Sequence, residues 1–328
     1  MSDRTLQYQS SGVLNYKVLG DKEFLSKASK GQLLPLHAQL SPTNKCNMNC
    51  SFCSYADCDR NLELSLKEIK VIVDKSKSIG MKAIDITGGG EPLVHPEIDN
   101  IINYITSCEI RCGLTTNGSL IDRPQTLDQL IWLRFSCSDD YTISTKFMDK
   151  IIKSRATAPH CDWSMNYVIS ENFSPSNFKK AIDLGVKSNC SHIRVFGRVS
   201  VHSGDDEINM SPIQEEISKM NIKGMTIIVQ DRGKYSSGED CYAGYVRPRI
   251  EADGYIYACC GGQHAIRGRQ EKSMPKELRL SKAIDINKFP EMSCKPFDGR
   301  ICSRCYFSDF NKLLKSIMNP DQLHKEFI

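Results

Sequence analysis

Apolar positions along this chain alternate between a two-residue and a 3.6-residue period. LHAQLSP, at 36–42, reads as a short strand. Ser65 and Glu68 then form a capping box, Leu66, Ile69, Ile72, Val73 and Ile79 fall on one helical face, and Gly80 supplies a stop. AIDIT, at 83–87, is a compact strand running into glycines, and Pro96 opens a helix striped by Ile98, Ile101, Ile102 and Ile105. Strands follow at 110–116, ending in Asn117-Gly118, and at 131–136. A helix carries Phe147, Met148, Ile151 and Ile152, and a strand spans 162–169. A helix near 176–184 stops at Gly185, a strand covers 191–196, Ser211-Pro212 starts another helix, and 225–230 is a further strand. Strand then helix, about six times over, predicts a parallel sheet with helices outside, a partial barrel rather than a closed eightfold one.

The texture changes near 232–238. Gly233, Gly238, Gly244, Gly254, Gly261 and Gly262 punctuate a cysteine-rich stretch of weak helical periodicity. The expected organisation is an N-terminal extension at 1–35, a core domain at 36–232 and a small cysteine-rich domain at 233–328. No run reaches the length of a membrane helix and the first twenty residues hold no apolar signal core, so the expected setting is cytoplasmic. The net charge of +4 over 328 residues neither advertises nor excludes an acidic partner, nucleic acid included.

Fifteen cysteines change the picture, because in a reducing compartment they point to metal or catalysis rather than disulfides. Cys46, Cys50, Cys53 and Cys58 crowd one short stretch, and Cys241, Cys259, Cys260, Cys294, Cys302 and Cys305 lie in the last third. The other five are dispersed and read as small buried hydrophobes. Three thiolates at 46, 50 and 53 fit three corners of an iron–sulfur cubane. By spacing alone they also fit zinc, or a cubane completed by Cys58.

The C-x3-C-x2-C spacing, with Phe52 directly before the last cysteine, resembles the signature of the radical S-adenosylmethionine (radical SAM) superfamily. TGGGEP, at 87–92, resembles the same family's glycine-glycine-glutamate-proline motif and follows the next strand, as the family requires. The resemblance implies a partial (β/α)6 barrel and a [4Fe–4S] cluster on Cys46, Cys50 and Cys53 whose fourth iron binds S-adenosylmethionine. It implies cofactor contacts from Phe52, Gly88, Gly89, Gly90 and Glu91, with Glu91 also able to brace the loop. Ser136, Ser138, Asn166 and Arg194, on the strands that follow, are further candidates for ribose, carboxylate or substrate. The implied chemistry is reductive cleavage of the cofactor to a 5′-deoxyadenosyl radical that takes hydrogen from a C–H bond. An electron donor such as flavodoxin or ferredoxin is the implied partner.

Further on, Cys241 is separated from Cys259 by a stretch with an Asp253-Gly254 hairpin signal, and Cys302-Ser-Arg-Cys305 follows. Four thiolates saturate one cluster, although two cysteine pairs are also the pattern of a zinc ribbon. The segment resembles the start of the SPASM domain of the same superfamily, shortened to its twitch form, which implies one auxiliary [4Fe–4S] cluster on Cys241, Cys259, Cys302 and Cys305. Cys260 is then surplus, either a packed residue or a hydrogen donor. The expected function is oxidation of a small molecule of amino-sugar or cyclitol type, or of a peptide. A redox-neutral epimerase using a cysteine, modification of a nucleotide or nucleic acid, and a non-enzymatic zinc protein are the alternatives.

Overall fold

The computed structural model describes residues 14–140, 143–199, 208–220, 222–230, 236–266, 269, 271 and 273–319. Two short helices, α1 (Leu14–Leu19) and α2 (Lys22–Ala28), lead into β1 (His37–Leu40). Then come α3 (Leu66–Ser78), β2 (Ala83–Ile86), α4 (Ile98–Ser107), β3 (Arg111–Thr116), α5 (Pro124–Leu127), β4 (Trp132–Ser138) and α6 (Thr145–Ala156). The alternation runs on through β5 (Asp162–Ile169), α7 (Pro175–Lys187), β6 (His192–Gly197), α8 (Met210–Lys219) and β7 (Thr226–Gln230). β1 to β7 pair in chain order, all parallel, as the alternation predicts for a partial barrel.

Local chemistry starts and stops these elements. Ser65 and Glu68 form the full capping box at the head of α3, and Gly80 takes φ +89° beyond its end. Ser144 and Ser174 cap α6 and α7 with their side chains. Two boundaries differ from expectation. Pro96 lies before the cap of α4 rather than inside its first turn, because its helix begins at Ile98. Gly185 does not end α7, which continues to Lys187. It is small because a Cβ there would stand 2.6 Å from the Met225 sulfur and 2.9 Å from that of Met165.

The strands alternate cleanly between two faces. Ala38, Leu40, Ile84, Ile86, Leu114, Leu133, Phe135, Trp163, Met165, Ile193 and Val195 are buried under the outer helices. Phe135 meets Trp163 edge to face at 6.3 Å between centroids. The opposite face, which lines the barrel, carries Gln39, Asp85, Arg134, Ser136, Ser164, Asn166, His192 and Arg194 in neighbouring registers. A polar lining on a parallel sheet marks a ligand-binding interior, since a packed one would be apolar.

Beyond β7 three later strands rejoin the same sheet on its β1 side. β8 (Asp240–Cys241) and α9 (Ala243–Val246) precede β9 (Arg249–Ile250), which pairs parallel with β1. β10 (Tyr255–Tyr257) returns antiparallel through the expected turn at Gly254, φ +78°, and pairs with β11 (Arg279–Lys282) beyond α10 (Gly262–Ala265). α11 (Phe289–Met292), β12 (Phe297–Asp298) and α12 (Ser308–Met318) follow, β12 pairing with β8 and α12 packing on α1 and α2. Among the described residues no helix is long and apolar enough to cross a membrane.

Candidate active site

The first cysteine loop leaves β1 at its carboxyl end and is pinned where it starts. Asn44 N donates to Leu62 O (2.9 Å) and Leu64 N to Pro42 O (2.9 Å), while Lys45 pairs with Glu63 at 3.0 Å. Above this neck Cys53 N donates to Cys50 O and Cys58 N to Tyr55 O, so the loop is a succession of tight turns. Cys46, Cys50 and Cys53 are all half-buried. The Cys46 sulfur accepts from Met48 N and that of Cys53 from Tyr55 N, each at 3.4 Å. Backbone N–H groups aimed at sulfur suit thiolate ligands, so the chemistry of this donor set fits a cluster bound through three corners, although among the described residues no three such side chains stand as a metal-holding group. Phe52 is half-buried between them. Cys58 points elsewhere: its thiol donates to Gly89 O at 3.9 Å, and burial pushes it up to about 11.

The glycine loop lies directly against the cysteine loop. Gly90 N donates to Thr43 O (3.1 Å) and Glu91 N to Lys45 O (2.9 Å). A Cβ on Gly90 would stand 2.0 Å from Lys45 O, and one on Gly89 2.0 Å from Asn44 Oδ1. Glycines are therefore required here for two backbones to meet. Glu91 is 3% exposed and both its carboxylate oxygens are taken. Oε1 accepts from Leu93 N (3.0 Å) and Thr116 Oγ1 (2.6 Å), and Oε2 from Asn117 N (2.6 Å). Burial raises its pKa against these three donors. It braces the glycine loop on the end of β3, the second of the two roles its motif offered.

Ser136, Asn166 and Arg194 form one row across β4, β5 and β6, as direct register partners on the interior face. Ser138 is fully buried and its hydroxyl accepts from Asp140 N (3.0 Å), so it shapes the turn after β4. Asp140 in turn bonds Ser51 of the cysteine loop and Ser170 beyond β5.

Three of the C-terminal cysteines, Cys241, Cys302 and Cys305, lie in one neighbourhood. Cys241 lies on β8, where a Cβ on Gly299 would be 3.3 Å from its own. Cys302 O accepts from Gly238 N and Cys305 N donates to Ser236 O, both at 2.7 Å, which brings the C-x2-C turn to the strand before Cys241. Cys259 Sγ accepts from Gly261 N at 3.2 Å. Burial raises the pKa of Cys241, and brings Cys302 to about 12, with the nearby thiols adding to both. The thiols of Cys241, Cys302 and Cys305 lie near one another, and that of Cys259 bonds its neighbour Cys260. Four thiolates suit a fully ligated cluster by their chemistry, although among the described residues no three of them stand as a metal-holding group. Cys294 is exposed and its thiol donates to Pro290 O, away from these four.

Cys260, whose thiol bonds that of Cys259, also meets the barrel side. Arg247 Nη1 lies 3.5 Å from its sulfur, and the Cys259 thiol, ahead of opposing burial and helped by Arg247 and Arg249, holds the Cys260 thiol below its ordinary range. Arg247 continues to His37 Nδ1 (3.2 Å) and to the Asp85 carboxylate (3.9 Å). Burial pushes Asp85 up, but His37, Arg247 and the Gln39 amide (3.1 Å) outweigh it and hold the carboxyl at about 2. A second buried group joins the two halves of the molecule. Arg249 bonds Glu251 (2.7 Å), Ser41 Oγ (2.6 Å) and Gly88 O (3.1 Å), and Tyr55 OH donates to Glu251 at 2.8 Å. Sequence reasoning passed over both groups. The one available signal was Asp85, a charge inside an otherwise apolar strand.

The family model described as the radical SAM superfamily matches residues 40–199. The GTP 3′,8-cyclase of Clostridium perfringens strain SM101 is 26% identical over 271 residues, covering 72% of this chain and 83% of that protein. Streptococcus suis SuiB bound to the precursor peptide SuiA superposes with a TM-score of 0.59 at 16% identity, over 87% of this chain and 70% of that one. The anSMEcpe structure with bound AdoMet and Kp18Cys peptide gives a TM-score of 0.53 at 12% identity, over 87% and 97%. These structural likenesses carry the fold.

Proposed function

The chain belongs to the radical SAM superfamily, and on that premise we propose that Cys46, Cys50 and Cys53 hold the family's [4Fe–4S] cluster. Cys241, Cys259, Cys302 and Cys305 hold an auxiliary one. When bound, the first cluster and S-adenosylmethionine supply a 5′-deoxyadenosyl radical able to take hydrogen from an unreactive C–H bond. The chain's part is placement. The neck at Asn44 and Leu62 fixes the cysteine loop, and Gly88 to Gly90 offer backbone at the closest approach to the cofactor's amino group. Arg194, in register with Asn166 and Ser136, is set to meet the cofactor carboxylate, with the two smaller polar groups beside the ribose. The observation that carries this reading is the backbone-to-backbone docking of the cysteine loop on the glycine loop.

The reaction is oxidation of a small molecule or peptide, because a fully ligated auxiliary cluster supplies one-electron redox capacity beside the barrel. A flavodoxin or ferredoxin supplies the electrons for cofactor cleavage. The GTP cyclase, by its name, acts on a nucleotide, and the two structural neighbours hold peptides, so both classes stay beside the amino-sugar or cyclitol type. One observation favours a second reaction. Cys260 meets Arg247 on the barrel side, and its thiol, once protonated against the pull of Arg247, would return a hydrogen atom in an epimerisation.

Anaerobically reconstituted protein should carry about eight irons and, with dithionite and S-adenosylmethionine, release 5′-deoxyadenosine. Replacing Cys46, Cys50 and Cys53 together by Ala should abolish that release and leave about four irons. Iron that falls to zero in this variant refutes a second cluster site.

A further inference from the structure

β9 joins the sheet at the point where the cysteine loop departs. It pairs with β1 over Gln39↔Arg249 and Leu40↔Ile250, and Ser41 N donates to Ile250 O at 2.8 Å, one residue before the loop. Successive residues of a strand face opposite ways. Ile250 is fully buried on one side, while Arg249 and Glu251 meet on the other at 2.7 Å from Nε to Oε1. From there the two side chains reach both of the loops that follow β1 and β2.

On the glycine loop the contact is to a carbonyl. Arg249 Nη2 donates to Gly88 O at 3.1 Å and to Ser41 Oγ at 2.6 Å. A peptide unit is planar and trans, so fixing the Gly88 carbonyl also fixes the direction in which Gly89 N–H points. Three glycines in succession have no side chains to hold them in one conformation, so the restraint has to come from outside the loop. On the cysteine loop the contact is to a side chain. Tyr55 OH donates to Glu251 Oε1 at 2.8 Å, while Tyr55 N donates to the Cys53 sulfur at 3.4 Å. Tyr55 is 8% exposed, and its ring centre lies 5.7 Å from the Arg249 guanidinium. One buried ion pair therefore connects a carbonyl of the glycine loop to a residue bonded to Cys53. Both members of that pair belong to the stretch between Cys241 and Cys259.

We propose that Arg249 and Glu251 are positioning residues for S-adenosylmethionine. They hold the cysteine loop and the glycine loop at one spacing, so the C-terminal cysteine-rich region sets part of the cofactor's affinity. The inference rests on the radical SAM reading of these two loops. It gives the C-terminal region a task in cofactor binding that is separate from any cluster it carries. A guanidinium suits that task better than an ammonium, because its planar fork meets Glu251, Ser41 and Gly88 at once.

The test is equilibrium dialysis of anaerobically reconstituted protein against radiolabelled S-adenosylmethionine. Electron paramagnetic resonance spectra of the reduced protein are taken before and after the cofactor is added. Tyr55→Phe removes one hydroxyl and should raise the dissociation constant about fivefold, in line with the loss of one buried hydrogen bond. Arg249→Lys keeps a charge beside Glu251 but loses the fork, and should raise it at least about tenfold. Both variants should keep the iron content and the cofactor-free spectrum of the unaltered protein, and should need more cofactor to change that spectrum. Tyr257→Phe is the control. Tyr257 is 2% exposed, and its hydroxyl donates to Asp253 (2.7 Å) and accepts from Arg279 (2.9 Å), a similar network whose members lie in neither loop. Its dissociation constant should stay within about twofold of the unaltered protein's. If Tyr55→Phe and Arg249→Lys also stay within that range, or if Tyr257→Phe weakens the cofactor as much as Tyr55→Phe does, the positioning role is overturned. Should Arg249→Lys fail to fold, Tyr55→Phe against Tyr257→Phe decides alone. An unaltered protein that neither binds S-adenosylmethionine saturably nor releases 5′-deoxyadenosine refutes the radical SAM reading and this inference with it. Binding by the unaltered protein that both variants match refutes this inference alone.

Discussion

Replacing Arg249 by Met should be among the most damaging single changes in the molecule outside its cysteines. Arg249 and Glu251 are each only 4% exposed and meet at 2.7 Å. At an effective dielectric constant of about 20, that separation corresponds to about 6 kcal/mol of attraction, most of it offset by the desolvation of both groups. The pair as a whole is therefore close to neutral for stability, whereas breaking it is not. Arg249→Met leaves a buried carboxylate facing only Tyr55 OH, and Ser41 Oγ and Gly88 O lose a donor, a loss of roughly 3–5 kcal/mol. For a chain of this size that lowers the melting temperature by roughly 4–7 °C. Glu251→Gln should cost a similar amount by stranding the guanidinium. The double variant Arg249→Met/Glu251→Gln should recover at least about 2 kcal/mol of the summed losses, because no buried charge remains and the carboxamide that replaces the Glu251 carboxylate still accepts from Tyr55. The assay is anaerobic urea unfolding of the reconstituted protein, read by circular dichroism for all four members of the cycle. A single-variant loss below about 1 kcal/mol, or losses that simply add, would refute the claim that this pair is a buried, mutually dependent tie.

Three further outcomes follow from particular contacts. Gly90→Ala pushes a Cβ to 2.0 Å from Lys45 O and must part the two loops, so 5′-deoxyadenosine release should fall about a hundredfold while iron content stays above half. His192 has its folded pKa lowered from 6.5 to about 3, so between those values the unfolded chain takes up a proton that the folded one refuses. Stability should accordingly decline by up to roughly 1.4 kcal/mol per pH unit as pH falls from about 6 to 4. His192→Asn should flatten that limb in urea titrations at several pH values, and an unchanged slope would remove His192 as its source. Cys260→Ala should spare turnover if the enzyme oxidises its substrate. If it epimerises, the variant should still consume cofactor but lose incorporation of solvent deuterium into product, as mass spectrometry would show.

Much of this protein is local and therefore legible in one dimension. Period and caps determined α3, β2 and α4, because Ser65, Glu68 and Gly80 act on backbone groups within a turn of themselves. The C-x3-C-x2-C loop and TGGGEP were equally readable, since one short loop supplies all the sulfurs and the glycines are demanded by close approach. Even so, Gly185 misled: a stop signal in the sequence turned out to be the space that the Met165 and Met225 side chains fill. What only the tertiary structure decided are the meetings between distant charges. Nothing in the sequence around Gln39 announces that Arg249 will lie beside it, or that Arg247 will reach Asp85 from the far third of the chain. Those groups are joined by sheet register. Register is set by the burial of one whole face of the barrel, and that burial exists only once all the strands are in place.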